Sequence, residues 1–168
     1  DHVGNLATTP DDYYKIISGK TAGPFEAACT TAALVAGASQ TEVDALGRFG
    51  LELGLAFQIV DDLLDLEGDD RLGKPRGTDV IEGKMTLPLI HALTMSHGDD
   101  RRRLAEVIDN YEEELWGELT ILLGRVGSLD YARVLTTNHL ERALGALLEF
   151  PKSEARDALE WLTRQEME

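Results

Sequence analysis

The chain has 168 residues, enough to bury one hydrophobic core, so a single domain spanning 1–168 is expected. Apolar residues make up 43% and charged residues 28%, with only five prolines, which excludes a disordered or fibrous chain and favours a folded helical one. The net charge of −15, from 31 acids against 16 bases, opposes a nonspecific grip on nucleic acid or docking on an anionic membrane face. It leaves open a compact anion held by a local lysine cluster and divalent cations.

No apolar run reaches the roughly 20 residues needed to span a bilayer, and the opening "DHVGNL" lacks the basic and apolar regions of a signal peptide. The absent starting methionine suggests a processed, cut or excerpted chain. The single cysteine, Cys29, lies in the apolar stretch "AACTTAALVAG" and reads as a packed thiol, which fits a reducing, cytoplasmic compartment.

In "TPDDYYKIISGK" Thr9 is a candidate N-cap, Pro10 stands just inside the start, and Tyr13, Ile16, Ile17 and Lys20 share one face. The helix is expected to run on through "TAGPFEAACTTAALVAG", bent just after Lys20 and Thr21 because Pro24 removes a backbone donor. A second helix is expected over "SQTEVDALGRFGLELGLAFQIVDDLLDL", capped by Ser39 or Thr41. Its glycines 47, 50 and 54 leave a smooth strip that another helix can approach closely. Residues 68–84, "GDDRLGKPRGTDVIEGK", show no sustained apolar period and read as a long functional loop. Beyond it "TLPLIHALTMSH" and amphipathic stretches from about Asp99 to Leu123, Ser128 to Glu149 and Ser153 to about Arg164 complete an all-α pattern.

The chemistry concentrates in "GLAFQIVDDLLDLEGDD". At about 100° per residue, Gln58, Asp61 or Asp62, and Asp65 fall on one strip of the helix. Like charges this close repel unless cations intervene, and ligands that are all oxygen suit a hard ion such as magnesium, which often bridges to substrate phosphates. The plain alternative is a solvated acidic helix end. Against it, an apolar face precedes the acids and a loop with Lys74 and Lys84 follows, a mixture suited to a metal-bound diphosphate. His2, His91, His97 and His139 show no metal-ligand spacing, and His91 reads as a packed or capping residue. The pairs Asp11-Asp12, Asp69-Asp70 and Asp99-Asp100 fit helix starts or the loop.

Taken in order, "YYKIISGKTAG", "FGLELGLAFQIVDDLLDLEGD", "GKPRGTDVIEGKMTLPLI" and "ALGALLEFPKSEARDALEWL" resemble the C-terminal half of the trans-polyprenyl diphosphate synthases, and the likeness covers nearly the whole chain. The resemblance implies the C-terminal helices of an isoprenoid-synthase-type bundle and a prenyltransferase of isoprenoid biosynthesis. It places Asp61, Asp62 and Asp65 in the second aspartate-rich motif, which coordinates Mg2+ on an allylic diphosphate. It sets Lys20, Lys74 and Lys84 on that diphosphate, and Thr21 and Gln58 where the family polarises the reacting centre. The implied reaction ionises the allylic diphosphate and condenses it with isopentenyl diphosphate.

The family's first aspartate-rich motif, with its following arginine pair, is not found in these 168 residues, so this stretch alone is expected not to elongate prenyl chains. The alternative is a noncatalytic helical partner of a heteromeric prenyltransferase. A terpene cyclase also ionises diphosphates on helices, but "KT" and "GKxxGxD" argue against it. Faces left uncovered by absent helices predict a homodimer or other self-association.

Overall fold

The computed structural model describes residues 5–68 and 76–165, and among them only helices and turns occur. The helices are α1 (Pro10–Ile17), α2 (Gly23–Val35), α3 (Gln40–Glu67), α4 (Thr78–Ile81), α5 (Leu87–Met95), α6 (Gly98–Asp109), α7 (Trp116–Arg125), α8 (Ser128–Ala146) and α9 (Glu154–Gln165). They group into two compact units, one over residues 1–13 and 61–133 and the other over 14–60 and 134–168.

Both long helical stretches begin as their cap residues dictate. The Asp12 N–H donates to Thr9 Oγ1 at 3.2 Å while the Thr9 N–H donates to Asp12 Oδ2 at 3.1 Å, so two orphan donors are satisfied reciprocally. Ser39 and Glu42 make the same box at the head of α3, where the Ser39 N–H donates to Glu42 Oε2 at 2.7 Å. Ser39 is thus the cap, rather than Thr41.

The expected bend takes a specific form. A π-helical turn, Ser18–Ala22, joins α1 to α2, and the Gly23 N–H reaches back five residues to the Ser18 carbonyl. In a regular α-helix the Pro24 ring would clash with the carbonyl four residues before it, that of Lys20, and widening the turn relieves this. The irregular turn therefore contains Lys20 and Thr21 instead of following them. Gly23 is needed there, since a Cβ would lie 2.8 Å from the Ser18 oxygen.

In the unit over 14–60 and 134–168, the strip of glycines on α3 receives α2. A Cβ on Gly50 would stand 2.5 Å from the Phe25 carbonyl oxygen, and one on Gly54 would stand 2.7 Å from Ala22 Cα. Behind this contact Phe49, Leu53 and Ala56 pack with Leu140, Ala143, Ala146 and Leu147 of the α8 region. Burying each large aliphatic or aromatic side chain contributes about 1.5–3 kcal/mol. Cys29 packs at the edge of this cluster, and burial raises its thiol pKa, consistent with an unreactive sulfur.

In the unit over 1–13 and 61–133, the buried faces of α5, α6 and α7 supply Leu87, Leu89, Ile90, Leu104, Val107, Leu119 and Leu123. Two expectations change here. The stretch from Asp99 to Leu123 is two helices, because α6 ends at Asn110, whose side chain donates to the Glu106 carbonyl at 3.0 Å. Asparagine competes with the helix by bonding its own backbone neighbourhood. Within the expected 68–84 loop, residues 76–84 carry the short helix α4, entered from Gly77 with φ +70°.

Candidate active site

Each unit contributes residues that the motifs single out. In the unit over 14–60 and 134–168, the π turn carries Lys20 and Thr21. Lys20 is exposed, and the Thr21 hydroxyl donates to Gln58 Oε1 at 2.7 Å. Gln58 is only 9% exposed, so this bond fixes the orientation of its amide. With Oε1 engaged by Thr21, the amide nitrogen can only donate, and the threonine oxygen keeps lone pairs for accepting.

On α3 the alternatives left by the spacing are decided by burial. Asp62 is 4% exposed and lies four residues after buried Gln58, with half-buried Asp65 three residues further, while Asp61 faces solvent. Within the unit over 1–13 and 61–133, the Tyr13 hydroxyl donates to Asp62 Oδ2 at 2.6 Å. Asp65 Oδ2 accepts the Asp79 N–H at 3.1 Å, and the Asp65 carbonyl accepts the Gly77 N–H at 3.0 Å. Burial pushes the Asp65 carboxyl above its usual range, with the nearby Asp79 charge adding to it and the backbone donors pulling against it.

Lys84 is held by its own limb of the loop. Its ammonium meets Asp79 Oδ1 at 2.7 Å and Glu82 Oε2 at 2.6 Å, and its backbone N–H donates to the Asp79 carbonyl at 2.8 Å. The carboxylates, Asp79 first, raise the lysine pKa, so the group stays a cation. Lys74 and the Asp69-Asp70 pair lie outside the described residues.

The structure therefore brings together Thr21 with Gln58, and Asp65 with Asp79 and Lys84. Among the described residues no three acid, histidine or cysteine side chains converge as a ready metal cage. The donor set of Asp61, Asp62 and Asp65 nevertheless fits a magnesium ion, which takes one or two carboxylates and completes its shell with water and substrate phosphates. The sequence reading missed Tyr13 as a partner of Asp62, the two acids holding Lys84, and a part-buried chain in which His139 Nδ1 donates to Glu52 Oε2 at 2.6 Å and Tyr14 Oη lies 3.1 Å from Nε2. Only the "DDYYK" and "GTDVIEGK" spacings could have hinted at the first two. Glu52 and His139 lie 87 residues apart with no local pattern to link them. His91 packs as expected, stacked on Tyr131 with Nδ1 2.9 Å from Ser128 Oγ.

A family model described as Polyprenyl synthetase matches residues 1–119. The chain belongs to the polyprenyl synthetase family. It is 39% identical over 155 residues to the short chain isoprenyl diphosphate synthase of Methanothermobacter thermautotrophicus, covering 92% of this chain and 48% of that protein. The crystal structure of a decaprenyl diphosphate synthase from Rhodobacter capsulatus superposes with a TM-score of 0.91 at 34% identity, over 99% of this chain and 52% of that one. A polyprenyl synthase from Caulobacter crescentus, crystallised with calcium and isoprenyl diphosphate, superposes with a TM-score of 0.90 at 35% identity, again over 99% of this chain and 52% of that one. The chain thus spans about half the length of the relatives it matches. The all-α fold of the polyprenyl synthases is the fold of this chain.

Proposed function

We propose that this chain is the C-terminal, diphosphate-binding part of a trans-polyprenyl diphosphate synthase, a prenyltransferase that condenses an allylic diphosphate with isopentenyl diphosphate. The observation that carries the reading is the continuous run of bonds from Asp65 through Asp79 to Lys84, which ties the acids ending α3 to a cation on the loop. Such a pairing of carboxylates and a lysine suits a diphosphate bridged by metal. The Caulobacter relative's calcium and isoprenyl diphosphate support it by similarity.

In this reading Asp61, Asp62 and Asp65 hold Mg2+, which when bound neutralises charge on the leaving diphosphate. Lys20, Lys74 and Lys84 contact the diphosphate oxygens. As the allylic C–O bond breaks, negative charge grows on the departing group, where fixed cations stabilise it more than in the ground state. Thr21 and Gln58 present oriented dipoles to the reacting centre. The isopentenyl double bond supplies the electrons for the new C–C bond, and the proton then lost passes to the released pyrophosphate.

No helix among the described residues is long and apolar enough to cross a membrane. A cytoplasmic enzyme follows as part of the proposal, supported by the packed thiol of Cys29. Self-association belongs to it as well, supported by large apolar side chains in solvent: Val35 at 83%, Leu148 at 70% and Trp161 at 63% exposure.

The test is a transfer assay on the whole natural polypeptide that carries this sequence, alongside the 168 residues alone, with an allylic diphosphate, labelled isopentenyl diphosphate and Mg2+. Elongated product is expected from the whole polypeptide and none from the 168 residues. Asp61→Asn and Lys84→Ala should each lower the rate about 100-fold, the scale of losing one electrostatic stabiliser. Absence of transfer by the whole polypeptide, with diphosphate still bound, would favour a noncatalytic partner subunit instead.

A further inference from the structure

The loop returns to α3 at Gly77. The glycine adopts φ +70°, a left-handed conformation that side chains disfavour, and a Cβ there would lie 2.5 Å from the Tyr111 hydroxyl oxygen and 2.9 Å from its Cζ. The ring of Tyr111, a residue in the break between α6 and α7, therefore stands directly against the Gly77 backbone. Its hydroxyl is buried and finds no hydrogen-bond partner among the described residues. The hydroxyl makes no hydrogen bond that fixes the ring, which packs against Gly77.

The same limb is gripped by Asp65, whose carbonyl takes the Gly77 N–H and whose carboxyl takes the Asp79 N–H. Asp79 in turn holds Lys84 twice, by its carbonyl on the lysine N–H at 2.8 Å and by Oδ1 on Nζ at 2.7 Å. Lys84 thus hangs on Asp79, whose N–H is held by Asp65 at the end of α3, two residues after the Gly77 that Tyr111 packs against. Lys84 is itself exposed, so its long stem would otherwise sample many rotamers.

We propose that Tyr111 is a positioning residue for Lys84: its ring clamps Gly77 against the end of α3 and so fixes Asp79, to which the lysine is tied. The inference rests on the reading above that Lys84 meets a diphosphate, and it adds a residue that none of the motifs contains. Tyr111 touches no substrate and acts only through the limb that carries the lysine.

The experiment measures binding of inorganic pyrophosphate with Mg2+ by calorimetry, on the whole natural polypeptide and its variants. Losing the Lys84 cation in Lys84→Gln should weaken binding about tenfold, as removal of one charged hydrogen bond does. Tyr111→Ala should weaken it about five- to tenfold, Tyr111→Phe less than about twofold, and the Tyr111→Ala, Lys84→Gln double variant no further than Lys84→Gln alone, since two residues acting through one contact are not additive. Tyr111→Leu, which keeps apolar bulk without a flat ring, replaces Tyr111→Ala should that variant lose its circular-dichroism signal, with the same expectation. Wild-type binding by either truncating variant, or full additivity in the double variant, overturns the proposal. So does a Tyr111→Phe loss as large as that of Tyr111→Ala, which would make the hydroxyl a ligand donor. If Lys84→Gln binds like wild type, the lysine is not a ligand and the clamp has no role in binding. If the unaltered polypeptide binds no pyrophosphate at all, the diphosphate reading itself falls, and the inference with it.

Discussion

Tyr13 looks in the sequence like one more member of the apolar face that includes Ile16 and Ile17, yet its hydroxyl spends itself on Asp62. Both residues are 4% exposed, and the 2.6 Å bond is the kind made to a charged or strongly polar acceptor. Hydrogen bonds of that class contribute about 1.5–3 kcal/mol, so Tyr13→Phe should lower stability by about 1–3 kcal/mol and shift the urea midpoint without changing the slope. An unchanged midpoint would mean that Asp62 is held well enough by its other neighbours. The acids themselves were legible because their spacing is a property of one helix. Which of the adjacent pair turns inward was not, since at 100° per residue both lie near the same strip, and it is packing around Asp62 that separates buried from exposed. Lys84 teaches a related lesson: sequence marked it as a cation beside a loop, but its pairing with Asp79 and Glu82 depends on the short turn of helix α4, which four residues of composition do not announce.

At the scale of elements, α3 was the most readable part of the chain, because its cap, its period and its glycine strip all point the same way. The strip makes opposite forecasts for one kind of substitution. Gly54→Ala would gain about 1 kcal/mol of helix propensity but place a Cβ 2.7 Å from Ala22 Cα, a backbone atom that cannot swing aside. Overpacking of this kind costs about 1–3 kcal/mol, so the variant should be destabilised by up to about 2 kcal/mol. Gly145→Ala in α8, where a Cβ would meet nothing within 4 Å, should instead stabilise by about 0.5–1 kcal/mol. Chemical denaturation of the two variants side by side checks both signs, and equal signs would show that propensity alone governs these positions. The less readable elements are those whose ends rest on one side chain or on distant packing. The break at Asn110 comes from an amide bonding back to Glu106, and the π turn comes from Pro24 acting on a carbonyl four residues earlier.

For the whole molecule the decisive quantity is the net charge of −15. Self-repulsion at that charge weakens the compact state, so any added salt should raise the melting temperature by screening, and a thermal shift with Mg2+ alone proves nothing about a site. The informative comparison holds ionic strength constant. Magnesium bound at a built site stabilises by RT ln(1 + [L]/Kd), about 2.7 kcal/mol at one hundred times Kd, which for a protein of this size corresponds to a rise of about 5–10 °C. With pyrophosphate present, MgCl2 should therefore exceed NaCl of matched ionic strength by that margin. Asp61→Asn should remove the excess while leaving the shared salt effect, because that exposed carboxylate can be altered without disturbing the buried bonds of Asp62 and Asp65. Identical curves in the two salts would mean that the acidic end of α3 is an ordinary cluster of solvated charge. A magnesium excess that survives Asp61→Asn would move the ion to the two inner carboxylates, and with it the point from which a diphosphate is held.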